Sequence, residues 1–293
     1  MDIRNIGVVS PGDMGQALAI RLGEAGFAIH GALDGRSENT RRLAAEAGIH
    51  DCGSLGELVG TCDLIVSVVS PANARSVAAG VAAAIRAAGR PVAFADLNAI
   101  SPQAARDEEQ VIRDAGGIFI DGGIVGPPPR AESARPRVYV SGPEAGLIEQ
   151  IRHPNLQVRV LSDRAGDASA LKMCYAAMTK GVTAITLELL VAAHDLGVEA
   201  AVESELRDSR SDVLDWQMSN MATVPARSRR WVPEMQQIAA TFAEVGLTPR
   251  IFEGAAELFA MVAETPLGHE TPEQARTARR DGLAITRAIA DTR

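Results

Sequence analysis

Aromatic side chains are scarce. Phe, Trp and Tyr make up 3% of the 293 residues. That removes the material for a base-stacking or carbohydrate-stacking surface and leaves alanine and the aliphatic residues to do the packing. Net positive charge is also missing. The formal charge is −8 at pH 7, whereas a protein that follows nucleic acid phosphates needs a basic face. The run Arg227, Arg229, Arg230 is short, is followed by Glu234, and reads as a solvated helix start. No nucleic-acid partner is expected. Cysteine is confined to Cys52, Cys62 and Cys174, an odd set with no close pair, which suits a reducing compartment. There is no CxxC or HxxxH spacing and the five histidines are scattered, so no metal site is expected. No continuous apolar run is long enough to span a bilayer, and no charged stretch precedes an apolar core at the N-terminus. The expectation is a cytoplasmic protein without a membrane partner.

What is present is an ordinary globular mix of 46% hydrophobic and 23% charged residues, in a chain long enough for two domains. Residues 3–9 (IRNIGVV) read as a buried strand, 10–15 as a glycine-containing turn, 16–25 as a helix, 27–33 as a second strand and 37–47 as a second helix. Residues 64–69 (LIVSVV) have the continuous apolar character of a parallel strand covered on both faces. Pro71 and Pro102 stand where a proline opens a helix, predicting helices to about Ala88 and Ala115. Further strands are predicted at 91–95, 117–120, 137–141 and 158–161. Strands alternating with helices give the fold class: α/β, a Rossmann-type doubly wound, mostly parallel sheet. Beyond residue 162 the pattern turns helical, with one long helix over 168–196 and later ones over 199–218, 233–245, 250–264 and 272–290. The expected domains are therefore 1–162, binding a dinucleotide, and 163–293, all-α.

The turn at 10–15, SPGDMG, is an incomplete GxGxxG fingerprint: Ser10 replaces the first glycine, while Gly12 and Gly15 are in place. Gly12 lets backbone approach a pyrophosphate, Gly15 lets helix and strand pack closely, and the helix N-terminus offers its free N–H groups to the phosphates. The strand before it and the helix after it are the context that gives such a loop meaning. At the end of the second strand two signals conflict. Asp34 stands where an acid would bind the 2′-hydroxyl of NAD. Arg36 would instead pair with the 2′-phosphate of NADP, Ser37 adding a hydrogen bond. NADP is favoured, with NAD kept open. Asp34-Gly35 also reads as a simple turn and Ser37 as a helix N-cap.

Four further segments fall where open α/β sheets bind ligands: VVSPANA (68–74), DLNAISP (96–102), DGGIVGPPP (121–129) and GDASALK (166–172). With SPGDMG, they make the chain resemble the β-hydroxyacid dehydrogenase superfamily, in particular its 6-phosphogluconate-dehydrogenase-like members, over nearly its whole length. That resemblance implies that Asp13 and Met14 belong to the nucleotide loop and that Val69, Ser70 and Pro71 run beside the nicotinamide. GRS at 35–37 is similar to the signature of NADP-preferring members. DLNAIS corresponds to the family's D-x-S-T-I-S loop, implying that Asn98 faces the substrate. GGIVG corresponds to A-P-V-S-G, implying backbone contacts from Val125 and Gly126. Lys172 matches the catalytic lysine of G-x-G-x-x-x-K. The family's asparagine four residues later is Ala176 here, and the glutamate that 6-phosphogluconate dehydrogenase carries seven residues after the lysine is Thr179. Thr179 argues against the decarboxylating sugar-acid reaction, and Ala176, Val125 in place of the family serine, and Pro233-Glu234 in place of a family lysine–aspartate pair argue together for a shifted substrate.

Tyr175 adjoins the lysine and reads equally as a second acid or a packed ring. Lys180 lies about 80° further round the helix and reads as readily as a solvated side chain. Asp121 reads as a loop cap. The expected reaction is hydride transfer between the nicotinamide and a small hydroxy acid or its carbonyl counterpart. Two alternatives stay open: an imine reductase, whose architecture is similar, and a non-catalytic dinucleotide-binding regulator. The apolar character of 171–193 also leads to an expected homodimer built on the helical domain.

Overall fold

The computed structural model describes residues 1–131 and 133–293. The chain divides into two compact units, Met1–Met173 and Cys174–Arg293.

The first unit is an eight-stranded sheet: β1 (Asn5–Val8), β2 (Ala28–Gly31), β3 (His50–Asp51), β4 (Leu64–Ser67), β5 (Ala93–Asp96), β6 (Ile118–Val125), β7 (Arg137–Ser141) and β8 (Gln157–Ser162). The strand order is β3-β2-β1-β4-β5-β6-β7-β8. All neighbours are parallel except β6 and β7. Five helices connect them: α1 (Asp13–Glu24), α2 (Glu38–Glu46), α3 (Leu55–Thr61), α4 (Pro71–Ala88) and α5 (Pro102–Arg113). Successive strand residues point to opposite faces, and each face has its own core. Leu64, Val66, Ala93, Ala95 and Ile120 pack on one side with Ile6, Leu18 and Leu22. Ile65, Phe94 and Phe119 pack on the other with Leu58, Val81 and Ile85. This is why β4 and β5 are apolar at nearly every position and buried throughout.

The expected doubly wound sheet is therefore present. Three small elements of this unit went unpredicted: the two-residue β3, α3, and a 3-10 helix at Ala145–Ile151. A two-residue strand has no periodicity to read, although α3 announces itself with a full Ser54–Glu57 capping box. Helix α1 also begins three residues earlier than expected, at Asp13 directly after Gly12.

The second unit consists of helices. Helix α6 (Asp167–Asp195) starts in the first unit and runs into the second. It is followed by α7 (Glu199–Met221), α8 (Val224–Glu244), α9 (Arg250–Ala263), α10 (Pro272–Thr277) and α11 (Gly282–Thr292). Two expectations need correction. The helix expected to start at Pro233 starts at Val224 and carries Pro233 in its interior. Its N-terminal half is held by packing, with Val224, Pro225 and Ser228 buried and Trp231 edge-on to Phe259 at 5.1 Å, and this outweighs the missing proline N–H. The helix expected over 272–290 is two helices. The chain breaks between them at Arg279, whose φ is 46°, and Asp281 caps the second by accepting from the N–H groups of Leu283 and Ala284. Contrary to the sequence reading, α6 is long and apolar enough by length and composition to cross a bilayer; 56% of its most apolar window is buried inside the fold.

Candidate active site

The strand order reverses between β1 and β4, one leading outward to β2 and the other to β5. Open α/β sheets bind ligands in the crevice outside the strand ends at such a point. Two loops rise there: Ser10–Gly12 from β1 into α1, and Val69–Ser70 from β4 into α4. Both helices begin without a side-chain cap, so their first-turn N–H groups are left for a ligand or solvent. Gly15 is required by contact: a Cβ there would sit 1.9 Å from the carbonyl oxygen of Ser10. A Cβ on Gly12 would meet only the Ser10 hydroxyl, 3.9 Å away, so it would project into open space at the helix start. A tight glycine turn with that space free is what a pyrophosphate needs, and a dinucleotide fits these residues. Met14, half-buried, follows in the same first turn.

Asp13 would repel a phosphate if it stood alone. It is neutralised by Arg130 from the β6–β7 loop, whose guanidinium donates to Asp13 Oδ1 at 2.9 Å and to Gln16 Oε1 at 2.8 Å. Arg21 in turn holds that loop, donating to the carbonyls of Pro129 and Arg130, each at 2.8 Å. Sequence reasoning missed Arg130. Its partner lies 117 residues away, and nothing local marks it.

At the end of β2, Gly35 makes the turn with φ 68°. Ser37 is the N-cap of α2, its hydroxyl accepting from the Thr40 N–H at 3.2 Å, as one of the sequence readings held. Arg41 is occupied by Asp51 and the Leu33 carbonyl, and Arg42 by Glu46 and Asn39. Arg36 is exposed and, among the described residues, makes no ion pair. Of the three arginines in this turn and α2, it is the one without such a partner among the described residues.

Level with the C-terminal ends of β4 and β5 runs a buried polar row: Ser67, Asp96, Asp121 and Ser141, each paired with the next in strand register and each at most 1% exposed. Asp121 gathers the start of α6. Its Oδ2 accepts from the N–H groups of Gly166, Ala168 and Ser169 and from the Ser141 hydroxyl, and its Oδ1 from the Ser169 hydroxyl, all within 2.6–3.1 Å. An acidic group at a helix N-terminus is favoured by both the free N–H groups and the helix dipole. Asp121 thus caps α6, where the sequence reading had it capping a loop.

Asn98 lies just beyond β5 and is 2% exposed. Its Oδ1 accepts from the Val69 N–H at 2.6 Å, and its Nδ2 donates to Ser67 Oγ at 2.9 Å and to Asp96 Oδ2 at 2.6 Å. The resemblance pointed this side chain at the substrate; in the structure its groups are committed within the protein, tying the β4 loop to the β5 loop. Asp96 also hydrogen-bonds Glu108 of α5. Burial pushes the Asp96 carboxyl up to about 6. Burial, with Asp96 beside it, pushes Glu108 up to about 10. Two hydrogen-bonded carboxyl groups out of water carry one proton between them. Glu108 holds it, because Asp96 already accepts from two donors of Asn98 while Glu108 Oε2 has no partner. A signal for Glu108 was legible: it sits on the buried face of α5 with Ala105 and Ile112, where a carboxyl is out of place.

Lys172 stands on the second turn of α6. Its Nζ donates to the Ile124 carbonyl at 2.6 Å, at the end of β6 beside buried Val125 and the turn at Gly126, whose φ is 123°. This approach depends on Gly123, where a Cβ would come within 2.7 Å of the Lys172 Cβ. In the second unit, Tyr175 is 47% exposed. Lys180, for which a solvated role was open, instead pairs with Glu234 at 2.8 Å, both mostly buried, and lies over the Trp231 ring.

A doubly wound sheet with a glycine turn at its switch point, followed by a helical unit, defines the class as a dinucleotide-binding Rossmann protein of the dehydrogenase type. The chain belongs to the 6-phosphogluconate-dehydrogenase-like branch of the β-hydroxyacid dehydrogenases: residues 5–153 match the NAD binding domain of 6-phosphogluconate dehydrogenase. Residues 193–262 match a domain of unknown function, DUF1932. L-Threonate dehydrogenase of Cupriavidus necator is 30% identical over 209 residues, 70% of this chain and 66% of that protein. A solved protein of unknown function, described as structurally similar to 3-hydroxyacid dehydrogenases, is 30% identical with a TM-score of 0.67, covering 93% of this chain and 98% of its own. The 3-hydroxyisobutyrate dehydrogenase of Mycobacterium tuberculosis, solved with L-serine, shares the fold at 21% identity and TM-score 0.71, covering 95% of this chain and all of its own.

Proposed function

We propose that this protein is an NADP-preferring dehydrogenase that interconverts a small hydroxy acid and its carbonyl counterpart, with Lys172 moving the proton. The observation that carries the reading is the seat of Lys172. Its ammonium reaches the C-terminal end of β6, on a helix whose start is held by Asp121, in the same strand-end region as the Val69 and Asn98 loops. The small molecules named for two relatives, L-threonate and L-serine, are both hydroxylated carboxylic acids.

The bound nicotinamide would supply hydride transfer. Ser10, Gly12 and the first turn of α1 receive the pyrophosphate, with Arg130 offsetting the charge of Asp13. Arg36, unpaired and exposed, receives a 2′-phosphate. Val69, Ser70 and Pro71 flank the nicotinamide. Lys172 gives its proton to the forming alkoxide in reduction and takes it back in oxidation. Val125 and Gly126 line the substrate side.

The unit is completed by a second copy. Met178, Ile185 and Ile251 are each about 60% exposed, and Ile185 and Ile251 line a groove together with the small residues Gly181, Ala184, Gly254 and Ala255 and the acidic Glu188 and Glu257. Exposed apolar residues along a groove of small ones suit helix packing against a partner.

The deciding experiment is a turnover screen with NADP(H) and NAD(H) against hydroxy-acid, keto-acid and imine panels. Hydroxy-acid oxidation faster with NADP+ is the expected result. Turnover of imines alone would replace this reading by an imine reductase, and dinucleotide binding without turnover of any of these compounds by a regulator. Within it, Arg36→Ala weakens NADPH binding at least tenfold and NADH binding little, measured by fluorescence titration. Tighter binding of NADH than NADPH by the unaltered protein would assign the site to Asp34 instead.

A further inference from the structure

We infer that Glu108, a residue of α5 outside every nucleotide-binding motif, is a positioning residue for the cofactor: as a proton donor to Asp96 it holds Asn98, and through Asn98 it sets the loop that follows β4. This rests on the reading above in which Val69–Pro71 flank the nicotinamide.

The links are continuous. Glu108 hydrogen-bonds Asp96. Asp96 accepts from the Asn98 main-chain N–H at 2.8 Å and from its Nδ2 at 2.6 Å. Asn98 Oδ1 takes the Val69 N–H at 2.6 Å, and Nδ2 also donates to Ser67 Oγ. Every group from Glu108 to Asn98 is at most 3% exposed, so no water replaces a lost partner at low cost. The orientation of the Asn98 amide is fixed by this chain. Its NH2 must face an acceptor at Asp96, which leaves the carbonyl oxygen for Val69. Val69 has just left β4, and its own N–H is held by this one side chain rather than by a strand partner. The turn into Ser70 and Pro71, which starts α4, therefore takes its position from a hydrogen bond whose far end is the Glu108 proton.

A carboxyl is used at 108 where an apolar residue would pack, and the protonated form is the one that works. The strongest charges acting on it are acidic: Asp96 from β5, Asp121 from β6 and Asp107 from its own helix. Loss of the proton would set Glu108 and Asp96 against each other as two buried anions. The contact would open, Asn98 would be released and the Val69 loop with it. The expected signature is an affinity for the dinucleotide that is level near neutrality and falls at alkaline pH, before the fold is lost.

Glu108→Gln tests this directly, since its amide donates to Asp96 at any pH. NADPH affinity is measured by fluorescence titration from pH 6 to pH 10.5, with circular dichroism at each pH to confirm folding. The unaltered protein should lose affinity about tenfold or more toward the upper limit. Glu108→Gln should match it within about twofold at pH 7 and stay level above. Glu108→Leu, which fills the space without a donor, should bind about tenfold more weakly at pH 7 with the Michaelis constant for cofactor raised by a similar factor. An equal alkaline loss in Glu108→Gln, or normal affinity in folded Glu108→Leu, overturns the inference. If the unaltered protein binds neither NADPH nor NADH, the dinucleotide reading itself has failed, which is a separate outcome.

Discussion

At the scale of single residues, the site is built from groups placed by their neighbours rather than by exposure. Lys172 is the clearest case. Its stem packs beside Gly123 and its ammonium meets a main-chain carbonyl, a contact that orients the group while leaving it able to exchange a proton with a bound alcohol. General acid–base work of this kind contributes about 10²–10⁴-fold. Lys172→Met keeps the stem and removes the proton, so the substitution should lower kcat by about that factor while NADPH titration stays unchanged. The companion substitution Lys180→Met reads differently. It takes away the cation 2.8 Å from Glu234, 13% exposed, and leaves that carboxylate with Arg230 at 3.7 Å. Breaking a buried pair from one side costs about 3–5 kcal/mol, to be discounted here for the remaining exposure, so its effect should be a lower melting midpoint with much less change in turnover per folded molecule. Lys180 being as catalytically important as Lys172 would move the proton transfer away from the proposed position.

At the scale of elements, the sequence made some things legible and hid others. Helix α4 was readable end to end, because Pro71 marks its start and Gly89, in the left-handed conformation, follows its end. The glycine turn after β1 was readable for the same reason: Gly15 answers to a local contact. Asp121 could be read as a cap, but not that it would collect α6 across 45–48 residues of chain. The commitment of Asn98 to Val69 and the clasp of Arg130 on Asp13 were hidden too, since partners so far apart leave no spacing to detect. The Pro233 helix was misread because a proline usually stops a helix, and only the tertiary packing of Trp231 shows why this one does not. The close contact of α6 with β6 at Gly123 makes its own prediction. Gly123→Ala puts a methyl 2.7 Å from the Lys172 Cβ, which is close to the helix backbone and cannot swing away. The helix must shift. Overpacking of this sort costs about 1–3 kcal/mol, measurable by chemical denaturation, and kcat should fall while dinucleotide affinity is kept, because the glycine turn lies elsewhere on the sheet.

At the scale of the whole molecule, two measurements follow. The chain mass is 30.8 kDa, and light scattering at micromolar concentration should return about twice that; a monomer would mean that the groove beside Ile185 and Ile251 is left open to solvent. The second concerns acid and base. Glu108 has a folded value of about 10 against an ordinary value of 4.5. Between those limits the native state holds a proton that the unfolded chain has released, so this group's contribution to stability is complete below about 4.5 and declines as pH rises toward about 10. The melting midpoint should therefore fall from pH 6 to pH 9 more steeply in the unaltered protein than in Glu108→Gln, and parallel slopes would place the proton elsewhere.

The two ends of the sheet are not alike. At one edge β3 is only two residues long, too short to recruit another strand. At the other, β8 runs six residues, with Val160 and Leu161 each 45% exposed. An edge of that kind is a template for the strand of another chain. What stands against such growth is Arg159, a charge in mid-strand that donates to the hydroxyl of Tyr139 on β7 and lies over its ring. The residue acts as a gatekeeper for solubility, and its importance would show during prolonged storage or at high concentration, in fibril formation, and not in any rate the enzyme displays.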